Sequence, residues 1–322
     1  MHPQITHYRS TSSESRKIPV SHELLRTLLY FEIFHFPLTA KELKRFCGTI
    51  TTLDEVEYEL RELIKAGYVK QKLGFYATAG QDIDSIVERR QIGNEKAEKM
   101  LKSARRYSKL ISYFPFVRGI YLSGSLSKGY ADDKSDVDYF IITKPGRLWI
   151  CRMLLVIFKR VFLFNSHKYF CVNYFIDEAG LEIHEKNIFT ATELATLIPT
   201  CNTALYRKLM QANSWVKDFF PNTLLESVSG ETIPANNSWL KLIGEKLFIG
   251  KFGDMLDDYC YKITLAKWKK KFKSFTAEEL ELNLRSKKNV SKHHPQGFQL
   301  KVVKAFTEKV KDFEQTFQIK LS

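Results

Sequence analysis

The hydrophobic and polar positions of residues 19–82 predict three helices followed by a hairpin. Leucines at helical spacing follow Ser21, which we expect to be the N-cap of the first helix. Thr39 and Glu42 have the spacing of a capping box, which opens a second helix. A third apolar stripe ends at Gly67, and a short alternating segment with a central glycine then predicts a hairpin. This order of elements resembles a winged helix-turn-helix.

After the hairpin the pattern changes twice. A long polar helix rich in Lys and Arg ends before Pro115. β-Branched and aromatic residues then alternate over 117–122 and 137–143, an apolar helix is expected over 147–164, and 169–176 is another predicted strand. This order predicts an α+β fold with a mixed sheet at its centre and only helices in the last part of the chain. The expected organisation is a disordered arm (1–18), the winged-helix-like module (19–82), a basic linker helix (83–114), a mixed-sheet domain (115–190) and a helical C-terminal domain (191–322).

The net charge indicates the kind of ligand, and the cysteine content argues against some kinds of structural site. The chain has 322 residues, with 50 Lys and Arg against 36 Asp and Glu, a formal net charge of +14. This excess favours a polyanionic ligand, namely a nucleotide, a nucleic acid or an anionic surface. The five cysteines are far apart and form no CxxC pair, a pattern that argues against a zinc or disulfide framework and is typical of reduced core thiols.

No segment of the sequence predicts membrane insertion or secretion. The polar N-terminal arm has no apolar core of the kind that a secretory signal needs. The apolar helix over 147–164 is interrupted by Arg152, Lys159 and Arg160, which leaves an uncharged run too short to cross a bilayer. We therefore expect a cytoplasmic protein without a membrane partner.

The segment with the clearest chemistry joins the first two predicted strands of the central domain. Gly124 and Ser125 follow the first strand, where glycine permits a tight turn and lets backbone N–H groups approach an anion. Asp136 and Asp138 stand at the start of the second strand, two residues apart, so both side chains are expected on the same side. Two adjacent carboxylates repel each other unless a cation lies between them, and Mg²⁺ prefers carboxylate and phosphate oxygens.

This segment resembles the signature of the DNA polymerase β-like nucleotidyltransferase superfamily. That signature has an apolar strand, Gly-Gly or Gly-Ser, a gap of roughly ten residues and then two acids one residue apart, flanked by apolar residues. Gly124-Ser125, the gap over 126–135 and Asp136-Val137-Asp138 match it. The resemblance implies that Gly124 and Ser125 hold the phosphates of a nucleoside triphosphate, and that Asp136 and Asp138 bind Mg²⁺ or Mn²⁺. Lys128 is expected either to contact a phosphate or to be a solvated loop residue.

Members of this superfamily that use two metal ions carry a third carboxylate on a later strand. In the predicted strand over 169–176, Asn173 stands where that acid is expected, and asparagine cannot act as a base. Leu181-Glu182-Ile183 has the apolar-acid-apolar pattern, so Glu182 is our prediction for the third catalytic acid. A site without a third acid, which binds nucleotide without reacting, remains the alternative.

Two functions of different classes follow from this resemblance. The first is Mg²⁺-dependent transfer of a nucleoside monophosphate from a triphosphate to a hydroxyl of a small molecule, a protein or an RNA end, with release of pyrophosphate. The second is a non-catalytic, nucleotide-sensing regulator whose winged-helix-like module binds DNA or a partner protein. The third helix of that module carries more acids than bases, which favours a protein partner over DNA. Its acids are Asp54, Glu55, Glu57, Glu59 and Glu62.

Overall fold

The computed structural model of the chain describes residues 18–164, 168–225, 232–293 and 296–321. It is a mixed α+β structure built around a mixed sheet, as the sequence predicts. The arm that we expect to be disordered lies outside the described residues except for its last position. In the described part of the chain, no helix combines the length and the apolar character that crossing a membrane requires.

The N-terminal module contains the predicted three helices and hairpin. The capping box of the second helix is complete, because Glu42 N donates to Thr39 Oγ1 over 3.3 Å and Thr39 N donates to Glu42 Oε2 over 2.8 Å. Ser21 is not the N-cap of the first helix. That helix begins at Val20, because the carbonyl of Pro19 already accepts its first N–H bonds. The elements are α1 (Val20–Glu32), β1 (Leu38–Thr39), α2 (Ala40–Phe46), α3 (Leu53–Lys65), β2 (Val69–Lys72) and β3 (Phe75–Thr78).

Two features connect this module with the rest of the chain. The short strand β1 pairs with β3 and extends the predicted hairpin to a three-stranded sheet in the order β1-β3-β2. The predicted linker helix is α4 (Ile83–Ser112), and its buried Ala97, Met100 and Ala104 belong to the core beneath the central sheet. The linker is therefore a packed part of the structure rather than a free spacer.

The middle of the central sheet follows the predicted order of strand, turn, strand, helix and strand. The first two strands are antiparallel, and the second and third are parallel, with a helix as the crossover between them. This arrangement confirms the predicted mixed sheet. The elements are β4 (Val117–Ser123), α5 (Gly124–Ser127), β5 (Asp138–Thr143), α6 (Leu148–Phe162) and β6 (Cys171–Asp177).

The region after residue 190 is not purely helical, which corrects the sequence prediction. β7 (Ile198–Cys201) pairs with β4, β9 (Val290–Lys292) pairs with β6, and β8 (Ser286–Lys287) pairs with β9. The six strands lie in the order β7-β4-β5-β6-β9-β8. The added strands have two to four residues, too few to show a period, and Pro199 is tolerated because β7 is an edge strand. The helices are α7 (Ile188–Thr196), α8 (Thr203–Ala212), a 3₁₀ helix (Ser214–Asp218), α9 (Trp239–Leu247), α10 (Gly250–Lys271), α11 (Ala277–Asn283) and α12 (Phe298–Phe317).

Alternate residues of β5 supply two hydrophobic cores, one on each face of the sheet. Tyr139 and Ile141 pack in the core that α4 and α6 cover, whereas Phe140 and Ile142 pack in the core shared with α1, α7 and α12. The N-terminal module therefore shares a core with the central sheet. Asp138 precedes Phe140 by two residues in β5 and therefore lies on the same face.

Candidate functional site

The pairing of β4 with β5 brings the glycine turn and the first acid together. Ser123, the last residue of β4, is opposite Asp138, the first residue of β5. Gly124 follows with φ of +70°, and a Cβ atom at this position would lie 2.5 Å from Asp138 Oδ2. Only glycine combines this backbone conformation with so close an approach to a carboxylate. The structure thus places the predicted turn directly against the predicted metal-binding acid.

Asp136 and Asp138 lie together where β5 and β6 begin. The strand itself starts at Asp138, so the position of Asp136 comes from the irregular segment before it rather than from strand alternation. The parallel register sets Asp138 beside Cys171, and Cys171 N donates to Val137 O over 3.1 Å. One oxygen of each carboxylate and the Cys171 Sγ lie within 4.8 Å of one another. The predicted acid pair is therefore formed, with a thiol beside it.

The Asp138 carboxyl group is shielded from solvent and lies beside two other acids. Burial raises the pKa of Asp138 to about 7, and the negative charges of Asp136 and Glu193 act in the same direction. A hydrogen bond from Asn173 opposes this rise without cancelling it. A cation between the two carboxylates would offset their repulsion.

Asn173 is the residue that stands where we expected a third acid. Its Nδ2 donates to Asp138 Oδ1 over 3.1 Å and to Cys171 Sγ over 2.9 Å. The amide thus supports one carboxylate of the pair but supplies no negative charge of its own.

Glu182, our prediction for the third acid, lies elsewhere. It follows the far end of β6, is exposed, and pairs with Lys186 over 2.9 Å. It lines a cavity of about 150 Å³ together with residues such as His184 and Arg285. The structure does not bring Glu182 into the group formed by Asp136 and Asp138.

Cys171 is a site residue that the sequence interpretation missed, since it was assigned only to the core. Burial raises the pKa of its thiol, and the charges of Asp138 and Asp136 raise it further. Without a cation the group is therefore a neutral thiol, and sulfur is a weaker ligand for a hard ion than the two carboxylates. No signal in the sequence points to it, because only the register of β6 against β5 sets Cys171 beside Asp138.

Lys128, from the gap of the motif, and Glu193, from α7, hold the glycine turn. Lys128 Nζ donates to Gly124 O over 3.1 Å and to Glu193 Oε1 over 2.7 Å. Gly124 N donates to Glu193 Oε2 over 3.2 Å. Ser125 is half-buried in the same turn, and its carbonyl accepts from Lys128 N and Tyr130 N. Glu193 was not predicted, and a single glutamate on an amphipathic helix gives no signal that would have identified it.

The donor set fits Mg²⁺ or Mn²⁺ better than a softer metal. Asp136 and Asp138 offer the hard carboxylate oxygens that these ions prefer, and the neutral Cys171 thiol does not compete with them. These two acids would hold the ion, with water and phosphate oxygens completing its coordination.

The site can therefore place a cation beside a turn whose lysine and backbone N–H group are held by Glu193. These features rest on contacts among the chain's own residues, where β4 ends and β5 and β6 begin. No outside relative adds to them: no protein-family model, no curated protein and no solved structure matches this chain.

Proposed function

We propose that this chain is a Mg²⁺-dependent nucleotidyltransferase of the polymerase β-like type, which moves a nucleoside monophosphate from a triphosphate to a hydroxyl acceptor. One observation carries the proposal: the pairing of Ser123 with Asp138 sets the Gly124-Ser125 turn against an acid pair that can hold a divalent cation. A surface hairpin with merely solvated acids would not bury Asp138 or raise its pKa to about 7.

The roles follow from the chemistry of each group. Gly124 and Ser125 would present backbone N–H groups to the terminal phosphates, and Lys128 would add a positive charge. Asp136 and Asp138 would hold the cation, which when bound offsets negative charge on the phosphate that is transferred. Asn173 would keep the Asp138 carboxylate in place through its 3.1 Å hydrogen bond.

The reaction is a substitution at the α-phosphorus. The acceptor hydroxyl oxygen forms a bond to this phosphorus, the bond to the bridging oxygen between the α- and β-phosphates breaks, and pyrophosphate leaves with the electron pair. The hydroxyl proton passes to water. Holding the hydroxyl in line with the leaving oxygen is the main task of the protein.

A second candidate function is a nucleotide sensor that binds without reacting. Asn173 is the observation that favours it, because this residue stands beside Asp138 where an acid could help to remove the hydroxyl proton. In that case the winged-helix-like module would pass the signal to a partner. The exposed Asp54, Glu55 and Glu62 on α3 favour a protein partner over DNA.

Transfer of label from α-phosphate-labelled ATP, GTP, CTP and UTP tests both candidates. The full chain is incubated with Mg²⁺ or Mn²⁺ and with a cell extract as the source of acceptors. The Asp136→Asn/Asp138→Asn double variant should lose all transfer. Asp133→Asn is the matched control, because this exposed acid of the same loop pairs with Lys96 outside the site. A Glu182→Gln variant tests the third-acid prediction directly.

The outcomes separate the candidates. Transfer that the double variant loses and Asp133→Asn retains supports the enzyme, and the labelled product identifies the acceptor. Absence of transfer, together with a nucleotide-dependent rise in Tm that needs Asp136 and Asp138, supports the sensor. If nucleotides cause neither transfer nor stabilisation, both candidates are wrong.

A further inference from the structure

The Glu193 side chain already accepts hydrogen bonds from the donors that should bind phosphate. Glu193 accepts from Gly124 N through Oε2 over 3.2 Å and from Lys128 Nζ through Oε1 over 2.7 Å. These two donors are the backbone N–H and the cation that the proposed function assigns to the triphosphate. Both oxygens of a single carboxylate therefore bind as two oxygens of a phosphate would.

We infer that the Glu193 carboxylate is an internal substitute for phosphate, so that the triphosphate binds only after this side chain has left the turn. Glu193 would then set the affinity and the selectivity of the site for a polyphosphate chain. The inference rests on the proposed function, because it concerns the same turn and the same ligand.

The Glu193 carboxylate and a phosphate cannot bind the Gly124 turn at the same time. The N–H of Gly124 has one hydrogen and takes one acceptor, and the carboxylate and a phosphate would repel each other at such a short separation. Asp138 lies against the same turn, and the charge of Glu193 contributes to the rise in the pKa of that acid. A triphosphate that arrives with its cation relieves this crowding once Glu193 withdraws.

The element that carries Glu193 is fixed, so the side chain is the part that moves. Ala191, Leu194 and Ala195 of α7 are buried in the core shared with α1. Arg45 of α2 donates to the carbonyl of Ala195, and Tyr30 of α1 is hydrogen-bonded to Thr192. Departure of the carboxylate is therefore a rotation about its side-chain bonds, with α7 staying in place. The side chain of Glu193 is 27% exposed, which leaves room on its outer side.

Two substitutions distinguish a Glu193 side chain that occupies the phosphate position from one that only repels phosphate by its charge. Glu193→Gln removes the charge that holds the side chain on Lys128. Glu193→Asp keeps the charge, but its side chain is one methylene shorter and cannot reach Gly124 N and Lys128 Nζ together. If Glu193 occupies the phosphate position, both variants free the turn, and both should bind a triphosphate more tightly than the wild type.

The experiment measures equilibrium binding of a fluorescent nucleoside triphosphate with Mg²⁺, and of inorganic tripolyphosphate as a competitor, to the full chain. We expect Glu193→Gln to lower the dissociation constant by about tenfold or more, and Glu193→Asp to lower it severalfold. Adenosine, which has no phosphate, should show no such gain. Asp133→Asn is the matched charge control and should behave as the wild type.

Each contrary result has one meaning. If Glu193→Gln binds no more tightly than the wild type, or if Glu193→Asp matches the wild type while Glu193→Gln gains, the inference is overturned and the proposed function stands. If neither the wild type nor any variant binds a triphosphate, the proposed function is wrong, and the inference is wrong with it. If Glu193→Gln does not fold, the comparison of Glu193→Asp with the wild type decides alone.

Discussion

Asn173 donates a hydrogen bond to Asp138 over 3.1 Å, at the position where a third carboxylate would complete an acidic cluster. The neutral amide therefore limits the negative charge that the metal-free protein has to tolerate. We expect Asn173→Asp to lower the free energy of unfolding of the metal-free protein by about 1–3 kcal/mol at about pH 8, because the new carboxylate faces Asp138. Saturating Mg²⁺ should recover most of this loss.

Urea unfolding with and without a chelator measures both effects. Asn187→Asp is the matched control, since Asn187 is the N-cap of α7 and an aspartate caps a helix equally well. A loss of stability in Asn173→Asp that Mg²⁺ leaves unchanged would argue against a cation bound by Asp136 and Asp138.

The raised pKa of Asp138 predicts how stability depends on pH in the absence of metal. With a pKa of about 7, well above the ordinary value for aspartate, the folded protein retains a proton that the unfolded chain has lost. The free energy of unfolding should therefore fall as the pH rises from about 4 to about 7. Asp138→Asn should remove this fall. At about pH 8 the free energy of unfolding of this variant should be about 1–3 kcal/mol higher than that of the wild type, and at about pH 4 the two should be equal.

Urea midpoints across this pH range, recorded with a chelator, test the assignment. Asp133→Asn is the control, because Lys96 holds the pKa of the exposed Asp133 below its usual range and that residue lies outside the site. A slope in Asp138→Asn equal to that of the wild type would mean that another group titrates.

The sequence was sufficient to predict the local part of the site. The conformation of Gly124 depends on residues within one strand-turn-strand segment, where a tight turn directly after a strand requires glycine. The expected strand alternation of Asp136 and Asp138 was wrong, because the strand begins at Asp138 and Asp136 lies in the irregular segment before it. The third-acid prediction relied on the pattern around Glu182, but the chain has left the sheet at that point and the side chain faces solvent. A local pattern of apolar, acidic and apolar residues does not reveal which end of a strand is nearby.

The non-local part of the site could not be predicted. Glu193 reaches the turn from a helix 69 residues away along the chain, and Cys171 is set beside Asp138 by the register of two parallel strands. The same limit applies to β7 and β9, which are recognisable as strands only through partners distant in sequence. Tertiary pairing, rather than periodicity, defines these features.

The role of Gly124 can be separated from the general effect of a positive φ. Gly124 and Gly129 have φ values of +70° and +71°, but only at Gly124 would a Cβ meet another atom, 2.5 Å from Asp138 Oδ2. Gly129→Ala should cost about 1 kcal/mol of stability through its backbone alone. Gly124→Ala should cost about 1–3 kcal/mol more, because the carboxylate has to shift, and it should lose nucleotide binding.

Thermal unfolding and triphosphate titration of the two variants measure these differences side by side. Equal loss of binding in both would show that the flexibility of the loop, and not the contact between Gly124 and Asp138, determines binding.

Glu245 fixes α9 to the start of β4 and balances the charges of two cations, the half-buried Arg118 and the buried Lys241. Its carboxylate accepts from Arg118 over 2.7 and 2.8 Å and from Phe116 N over 2.9 Å. Lys241 lies beside it, with Nζ donating to the carbonyl of Val117 over 2.6 Å, and burial lowers the pKa of this lysine.

Glu245→Gln should lower the free energy of unfolding by about 2–4 kcal/mol, because both cations lose their counter-charge and an amide cannot accept all three N–H bonds. Lys246→Gln, an exposed change on the same helix, should alter stability by less than about 0.5 kcal/mol in urea unfolding. If the two variants unfold at the same midpoint, α9 is not anchored through Glu245, and its attachment depends on its other contacts, such as the Lys241 hydrogen bond to Val117.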